Sequence, residues 1–218
     1  MQPSVVRRLV REIEDKDTST VAHTWRVVLY ARAMAESLGL ERPRIETITR
    51  GAALHDIGKL RVPGEILRKP GPLTDDEFAV IKQHTIHGHE RLIELGETDP
   101  DVLDLVRHHH ERWDGLGYPD GLRGEGISVG ARVFAVIDSF DALTSVRPYR
   151  RDIGEDAAER ALAILEEGKG SRYWPDAVAL FADLYRGGGL GWILHYFNDE
   201  VPVPAFTGDT MAEPTGGP

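Results

Sequence analysis

The chain contains no cysteine. That removes disulfides, thiolate zinc sites and a cysteine nucleophile together, so any metal has to be held by imidazole and carboxylate. Positive charge is the second shortage: 26 Lys plus Arg face 36 Asp plus Glu, a formal net charge of −10. Such a balance repels a polyanion and argues against nucleic acid as a partner. A small anion stays compatible, because it needs only a local positive field. Long apolar runs are the third absence. Nothing approaches the ~20 residues of a membrane span, and MQPSVVRRLVREIEDKD intersperses charge where a signal peptide would have an apolar core. The expectation is a soluble, cytoplasmic protein with no membrane insertion. Alternating strand patterns and internal repeats are missing too, which leaves an all-α chain of 218 residues, long enough for one good core.

What is there reads as a succession of helices. Val5, Val6, Leu9, Val10 and Ile13 recur at helical spacing. His23, Val27, Tyr30, Ala31, Met34 and Leu38 share one face of a longer helix that stops at Gly39. Pro43 opens a third, which carries His55 and Asp56 to its end, where Gly58 lets the chain leave. Residues 59–73 form a loop with one helical turn near Glu65 to Leu67. Thr74-Asp75-Asp76-Glu77 has the capping-box pattern and starts a helix towards His84. Another runs through Glu90, Leu92 and Ile93 to Gly96, and Asp99-Pro100 begins the helix that delivers His108, His109 and His110. Ser128 caps an apolar helix containing Asp138 and Asp141, residues 155–167 read as a helix, and Pro175 begins one ending at Gly187. Leu190 to Phe197 reads either as a packed turn or as a short helix.

Two kinds of residue carry chemistry. Asp56 and Asp138 are carboxylates in apolar helical surroundings, where an ionised acid needs a cation or several hydrogen bonds. His55 and Asp56 are adjacent, about 100° apart on a helix, so they do not chelate one ion as an i, i+4 pair would; a carboxylate bridging two ions fits better. His108-His109-His110-Glu111 runs straight into a loop with Gly115, Gly117, Gly121, Gly124 and Gly126, a composition that shapes a site rather than fills a core. Taken singly, His23, His84 or a member of the triplet is more often a hydrogen-bonded imidazole than a ligand. Their concurrence with two acids in apolar settings changes that balance. His87, His89 and His195 lack that support. Asp141 reads equally as a cap or an ion-pair partner of Arg147, Glu111 as a solvated acid and Trp113 as packing.

His55-Asp56-Ile57-Gly58-Lys59 followed by His109-His110-Glu111-Arg112-Trp113-Asp114-Gly115-Leu116-Gly117-Tyr118-Pro119 resembles the HD-GYP family of metal-dependent cyclic-di-GMP phosphodiesterases. The similarity runs from about Thr20 to Leu180 and includes Val62 to Pro70 and Asp138 to Arg150. The resemblance implies an HD-domain helical bundle with an HD-GYP extension. Residues 1–17 would be an N-terminal helix, 18–186 the catalytic domain, 187–197 an aromatic segment and 198–218 a disordered tail. It places metal ligands at His23, His55, Asp56, His84, His109, His110 and Asp138, leaving His108 outside. It makes His55, Asp56 and Lys59 catalytic, with Lys59 contacting the scissile phosphate. It puts Asp141, Arg147, Arg150 and Tyr118 on the substrate side.

The implied cofactors are two divalent ions, iron or manganese. With Asp56 and Asp138 they would retain about two positive charges to meet the phosphates of a cyclic dinucleotide and would activate a bridging water for in-line attack. The implied reaction is hydrolysis of cyclic-di-GMP to pGpG, with or without a second cut to GMP. The alternative is a catalytically weak or inactive module that binds the dinucleotide, or a signalling protein through the Gly117-Tyr118-Pro119 loop. Two departures stand out. Ser19 occupies the position of a third-metal glutamate, which argues for two ions. Gly170-Ser171-Arg172-Tyr173-Trp174-Pro175 replaces the family's Gly-Thr-His-Phe-Asp-Pro.

Overall fold

The computed structural model describes residues 1–16, 21–145, 156–197 and 206. Among them there are eleven α-helices and no strand, with one isolated bridge between Lys169 and Tyr173. The helices are α1 (Pro3–Lys16), α2 (Val21–Ser37), α3 (Arg42–Leu54), α4 (Gly64–Leu67), α5 (Asp75–Lys82), α6 (His84–Glu94), α7 (Pro100–His108), α8 (Val129–Thr144), α9 (Ala157–Glu167), α10 (Pro175–Arg186) and α11 (Gly191–Tyr196). Two 3-10 turns, Ile57–Arg61 and Gly124–Gly126, complete the pattern.

Local chemistry explains the helix starts. In α5 the Thr74 hydroxyl accepts from the Glu77 amide while the Glu77 carboxylate accepts from the Thr74 amide, a complete capping box. Asp99 caps α7 and Ser128 caps α8, each accepting an amide of the first turn. Proline stands in the first turn of α3, α7 and α10, where its missing N–H costs nothing. The short-helix alternative holds for the aromatic stretch that ends at Phe197, as α11.

Helix α2 is the centre of the bundle, packed on α3, α8, α10 and α11. Its face is nearly all buried, from Ala22 through Ala35. Helix α1 contributes Val6, Leu9, Val10 and Ile13 to the same core, each contributing up to about 1.5–3 kcal/mol by leaving water. Tyr30, Phe140 and Phe181 form an aromatic knot where α2, α8 and α10 meet, with centroids 4.8–5.8 Å apart. The first 3-10 turn packs against α6, and α3 against α7. The ends of α3 and α7, the start of α6 and one face each of α2 and α8 thereby converge. Among the described residues no helix is long and apolar enough to cross a membrane.

In the segment from residue 198 expected to be a disordered tail, Phe206 is described and is wholly buried, edge-on to Trp25 at 5.2 Å. The rest of that segment lies outside the described residues. A Pro-, Gly- and Thr-rich composition lowers the average apolar content without preventing one aromatic ring from docking.

Candidate metal centre

Close backbone approach builds the site. An ideal Cβ placed on Gly58 would lie 1.8 Å from the His84 carbonyl oxygen and 2.5 Å from the Gly88 nitrogen. Only glycine lets the turn after Asp56 sit this tightly on α6. That contact brings His84 beside Asp56.

Among the described residues, six potential ligands gather in two groups, His23 with His55 and Asp56, and His84 with His109 and His110. Within each group the candidate donor atoms lie within 4.8 Å of one another. Asp56 links the groups. Its Oδ2 is 3.1 Å from His55 Nε2 and 2.7 Å from Lys59 Nζ, while its Oδ1 is 3.5 Å from His84 Nε2. Both carboxylate oxygens thus face cationic or ligand groups, the disposition of a bridging carboxylate.

The helix ends orient the imidazoles. His55 Nδ1 donates to the Ala52 carbonyl (2.8 Å), His84 Nδ1 to Ile81 (2.7 Å) and His109 Nδ1 to Val106 (3.0 Å). His23 Nδ1 donates to the Asp141 carboxylate at 2.7 Å. Carbonyls and carboxylates only accept, so Nδ1 of each ring carries a proton, which leaves Nε2 as the atom a metal would take. His84 Nε2 and His109 Nε2 are 3.2 Å apart. Two lone pairs at that distance repel unless a cation lies between them. Two imidazoles ~2.1 Å from one ion at a right angle are spaced by about 3 Å, so the donor set fits a metal.

The electrostatics agree. Burial, with the neighbouring His110 and His84, holds His109 well below the usual histidine range. Burial and His84 bring His110 down to about 3. Burial also lowers His84. All three are neutral lone-pair donors near pH 7, as ligation requires. Burial alone would raise Asp56, but His55 and Lys59 outweigh it and keep the acid well below the usual carboxylate range. Burial works against a charged His55, but Asp56 outweighs it and raises the pKa, with a smaller contribution from Asp138, which is half-buried on α8 and lies outside both groups. Asp138 follows by one turn Phe134, whose ring packs on His55 at 4.8 Å.

His108 takes no part. Its Nδ1 is bonded to Asp104 (2.7 Å) and its Nε2 to Asp120 (2.8 Å), leaving no lone pair for a metal. Glu111 is buried, and its oxygens accept from the backbone amides of Asp120 (2.7 Å), Gly121 (2.9 Å) and Leu122 (3.1 Å). Its reading as a solvated acid is overturned: it holds the glycine loop shut. A Cβ on Gly117 would lie 2.4 Å from the Arg112 nitrogen, so the loop folds flat onto the histidine segment. Tyr118 then lies over His110 at 4.9 Å, a wall of the site. From the other side, the amides of Trp113 and Asp114 donate to the carbonyls of Arg172 and Ser171, and Trp113 stacks on Trp174. The segment that departs from the family pattern is therefore the loop's anchor.

Asp141, expected on the substrate side, has a fully buried carboxylate bonded to His23, Arg26 and Ser145, so in this structure it backs His23. Arg26, bonded to it through Nε and a terminal nitrogen, was absent from the sequence reading. Its signal was there: an arginine inside Thr24-Trp25-Arg26-Val27-Val28 is as costly as an acid in such a run. Arg147, Arg150 and Ser19 lie outside the described residues.

The profile of the HD domain family matches residues 7–177. The chain is 44% identical over 172 residues to the cyclic di-GMP phosphodiesterase response regulator RpfG of Xanthomonas campestris, covering 78% of this chain and 45% of that protein. It is 43% identical over 157 residues to a cyclic di-GMP phosphodiesterase of Pseudomonas aeruginosa, covering 72% of this chain and 37% of the relative. The chain thus spans less than half the length of these two curated relatives. Among solved structures, an HD-GYP-type protein of Bdellovibrio bacteriovorus superposes with a TM-score of 0.61 at 22% identity, covering 77% of this chain and 53% of that one. With an HD turn, a His-His-Glu segment and a Gly-Tyr-Pro loop set in one helical bundle, the chain belongs to the HD domain family.

Proposed function

We propose that this protein is a phosphodiesterase that hydrolyses cyclic-di-GMP to pGpG, with or without a further cut to GMP. The observation that carries the reading is Asp56, whose two oxygens face two separate ligand groups. His23, His55 and Asp56 would hold one divalent ion, and His84, His109 and His110 the other, with Asp138 completing the set. Iron or manganese suits a donor set of imidazole and carboxylate without sulfur. Such ions, when bound, supply an activated water and neutralise phosphoryl oxygens.

The chain's own residues do the rest. Asp56 is ionised and aligned before substrate arrives, held by His55 and Lys59. The Lys59 ammonium, three residues on and partly exposed, can turn from Asp56 to a non-bridging phosphate oxygen as charge develops there. Tyr118, packed on His110, closes one side and excludes water. Arg147 and Arg150 are the proposed partners of the second phosphate or a guanine edge. The Gly117-Tyr118-Pro119 loop, beside the exposed Leu116, is the proposed docking face for a signalling protein.

The test is incubation of iron- or manganese-loaded protein with cyclic-di-GMP under anaerobic conditions, with products followed by chromatography and 3′3′-cGAMP as competitor. Appearance of pGpG that ceases in Asp56→Ala supports the reading. Dinucleotide binding without turnover in either metal would replace it with a binding module.

A further inference from the structure

We propose that Arg26 and Asp141 are positioning residues for the His23 ligand, and that the C-terminal segment, by closing on Arg26 through Phe197, is part of the support of the metal centre. The inference rests on the reading that His23, His55 and Asp56 hold one of two ions.

Arg26 and Asp141 form a sealed pair between α2 and α8, 1% and 0% exposed. Each lies three residues beyond an expected ligand on its own helix, Arg26 after His23 and Asp141 after Asp138. The Arg26 fork grips both carboxylate oxygens, the second at 3.1 Å. Other donors of the same guanidinium reach the Ser145 hydroxyl at 2.6 Å and the Phe197 carbonyl at 2.7 Å. Ser145 returns a hydrogen bond to Asp141. Asp141 Oδ2 is left facing His23 Nδ1 at 2.7 Å.

A buried ion pair is weak evidence for stability, because a well-packed apolar pair often serves as well. What an apolar pair cannot do is hold an imidazole in one tautomer and raise its basicity towards a metal. The pair performs that task only while its plane is fixed, and Arg26 fixes it by bonding on three sides. One of those sides is the C-terminal segment. The Phe197 ring stacks on Trp25 at 5.3 Å and 19°, Phe206 meets the same indole edge-on, and Trp25 immediately precedes Arg26. Docking of residues 190–197 on α2 is thereby connected, through Phe197, Arg26 and Asp141, to one ligand of one ion.

The test uses the full chain and Mn²⁺, with stoichiometry and affinity from chelator competition, exchange coupling from electron paramagnetic resonance, and helix content from circular dichroism. Wild type should bind two ions with a coupled spectrum. The double variant Arg26→Met, Asp141→Asn removes both charges and so leaves none unpaired. It should keep its helix content, retain one ion at wild-type affinity, bind the other ~10–100-fold more weakly and lose the coupled signal. Arg26→Lys keeps the charge and gives up the fork. It should weaken the same single ion, and it decides the question if the double variant does not fold. Phe197→Ala should shift that ion in the same direction by less, about three- to tenfold. Wild-type affinity for both ions in the folded double variant or in Arg26→Lys overturns the positioning role; an unchanged Phe197→Ala overturns the C-terminal part. A wild type that binds no Mn²⁺ defeats the metal reading itself, and the inference with it.

Discussion

Replacing Gly58 by alanine adds one methyl group at the tightest backbone contact in the site. The new Cβ would lie 1.8 Å from the His84 carbonyl oxygen and 2.7 Å from the His84 carbonyl carbon. Carbon and oxygen normally approach to about 3.3 Å, so the turn and α6 must separate by about 1.5 Å. No side-chain rotation relieves this, because every atom in the way is backbone. Overpacking that side chains can absorb costs ~1–3 kcal/mol, and a backbone clash lies at or above the top of that range. For a chain of this size about 3 kcal/mol lowers Tm by roughly 6–12 °C. The displacement falls between Asp56 and His84, 3.5 Å apart in the native arrangement, and a misplacement of 1 Å can cost ~10²-fold in rate. Gly39→Ala is the control: Gly39 has φ +68° and nothing within 4 Å of an added Cβ. It carries only the left-handed strain of roughly 1–2 kcal/mol and should leave turnover unchanged. Melting curves and cyclic-di-GMP turnover of both variants decide the matter. A Gly58→Ala protein with a Tm within 2 °C of wild type and undiminished turnover would refute the close-approach reasoning.

Glu111→Ala strips three backbone amides of their acceptor; at 1–3 kcal/mol for each buried group left unsatisfied, and with water relieving part of it, the loss should be about 3 kcal/mol in urea denaturation, with slower turnover. His109→Ala should abolish binding of one ion, whereas His108→Ala should keep both ions, because both ring nitrogens of His108 are already bonded to Asp104 and Asp120; metal analysis of the purified variants tests the contrast, and equal metal loss would contradict it. Bonds from Arg107 and His108 hold the Asp120 carboxyl down at about 2, against ~3.9 in an unfolded chain. A depressed acid contributes stability above its unfolded pKa and loses it as pH falls through the folded one. Melting temperature between pH 5 and pH 2 should therefore fall less steeply in Asp120→Asn than in wild type, and parallel curves would count against the assignment.

The helices and much of the site were legible in the residues because their causes are local. Apolar spacing in α1, the Thr74–Glu77 box and Pro43, Pro100 and Pro175 at helix starts all act within a few residues of each other. His55, His84 and His109 have their Nδ1 set by a carbonyl three residues earlier, again a local device. What the chain could not display along its length is anything that depends on a distant segment. Asp141 reads as a substrate residue by motif, and only α2 packing against α8 brings His23 and Arg26, 118 and 115 residues away, onto its carboxylate. Glu111 is a solvated acid until the glycine loop turns three amides back upon it. Phe206 is one aromatic in a polar tail until it meets Trp25. The sequence by itself determined the all-α class and most helix starts, since helix periodicity and capping are short-range, while the candidate histidine and aspartate ligands followed from the resemblance of its motifs. Tertiary structure alone decided which polar groups became buried partners, because a charge finds its counter-charge in space and the chain separates the two by half its length.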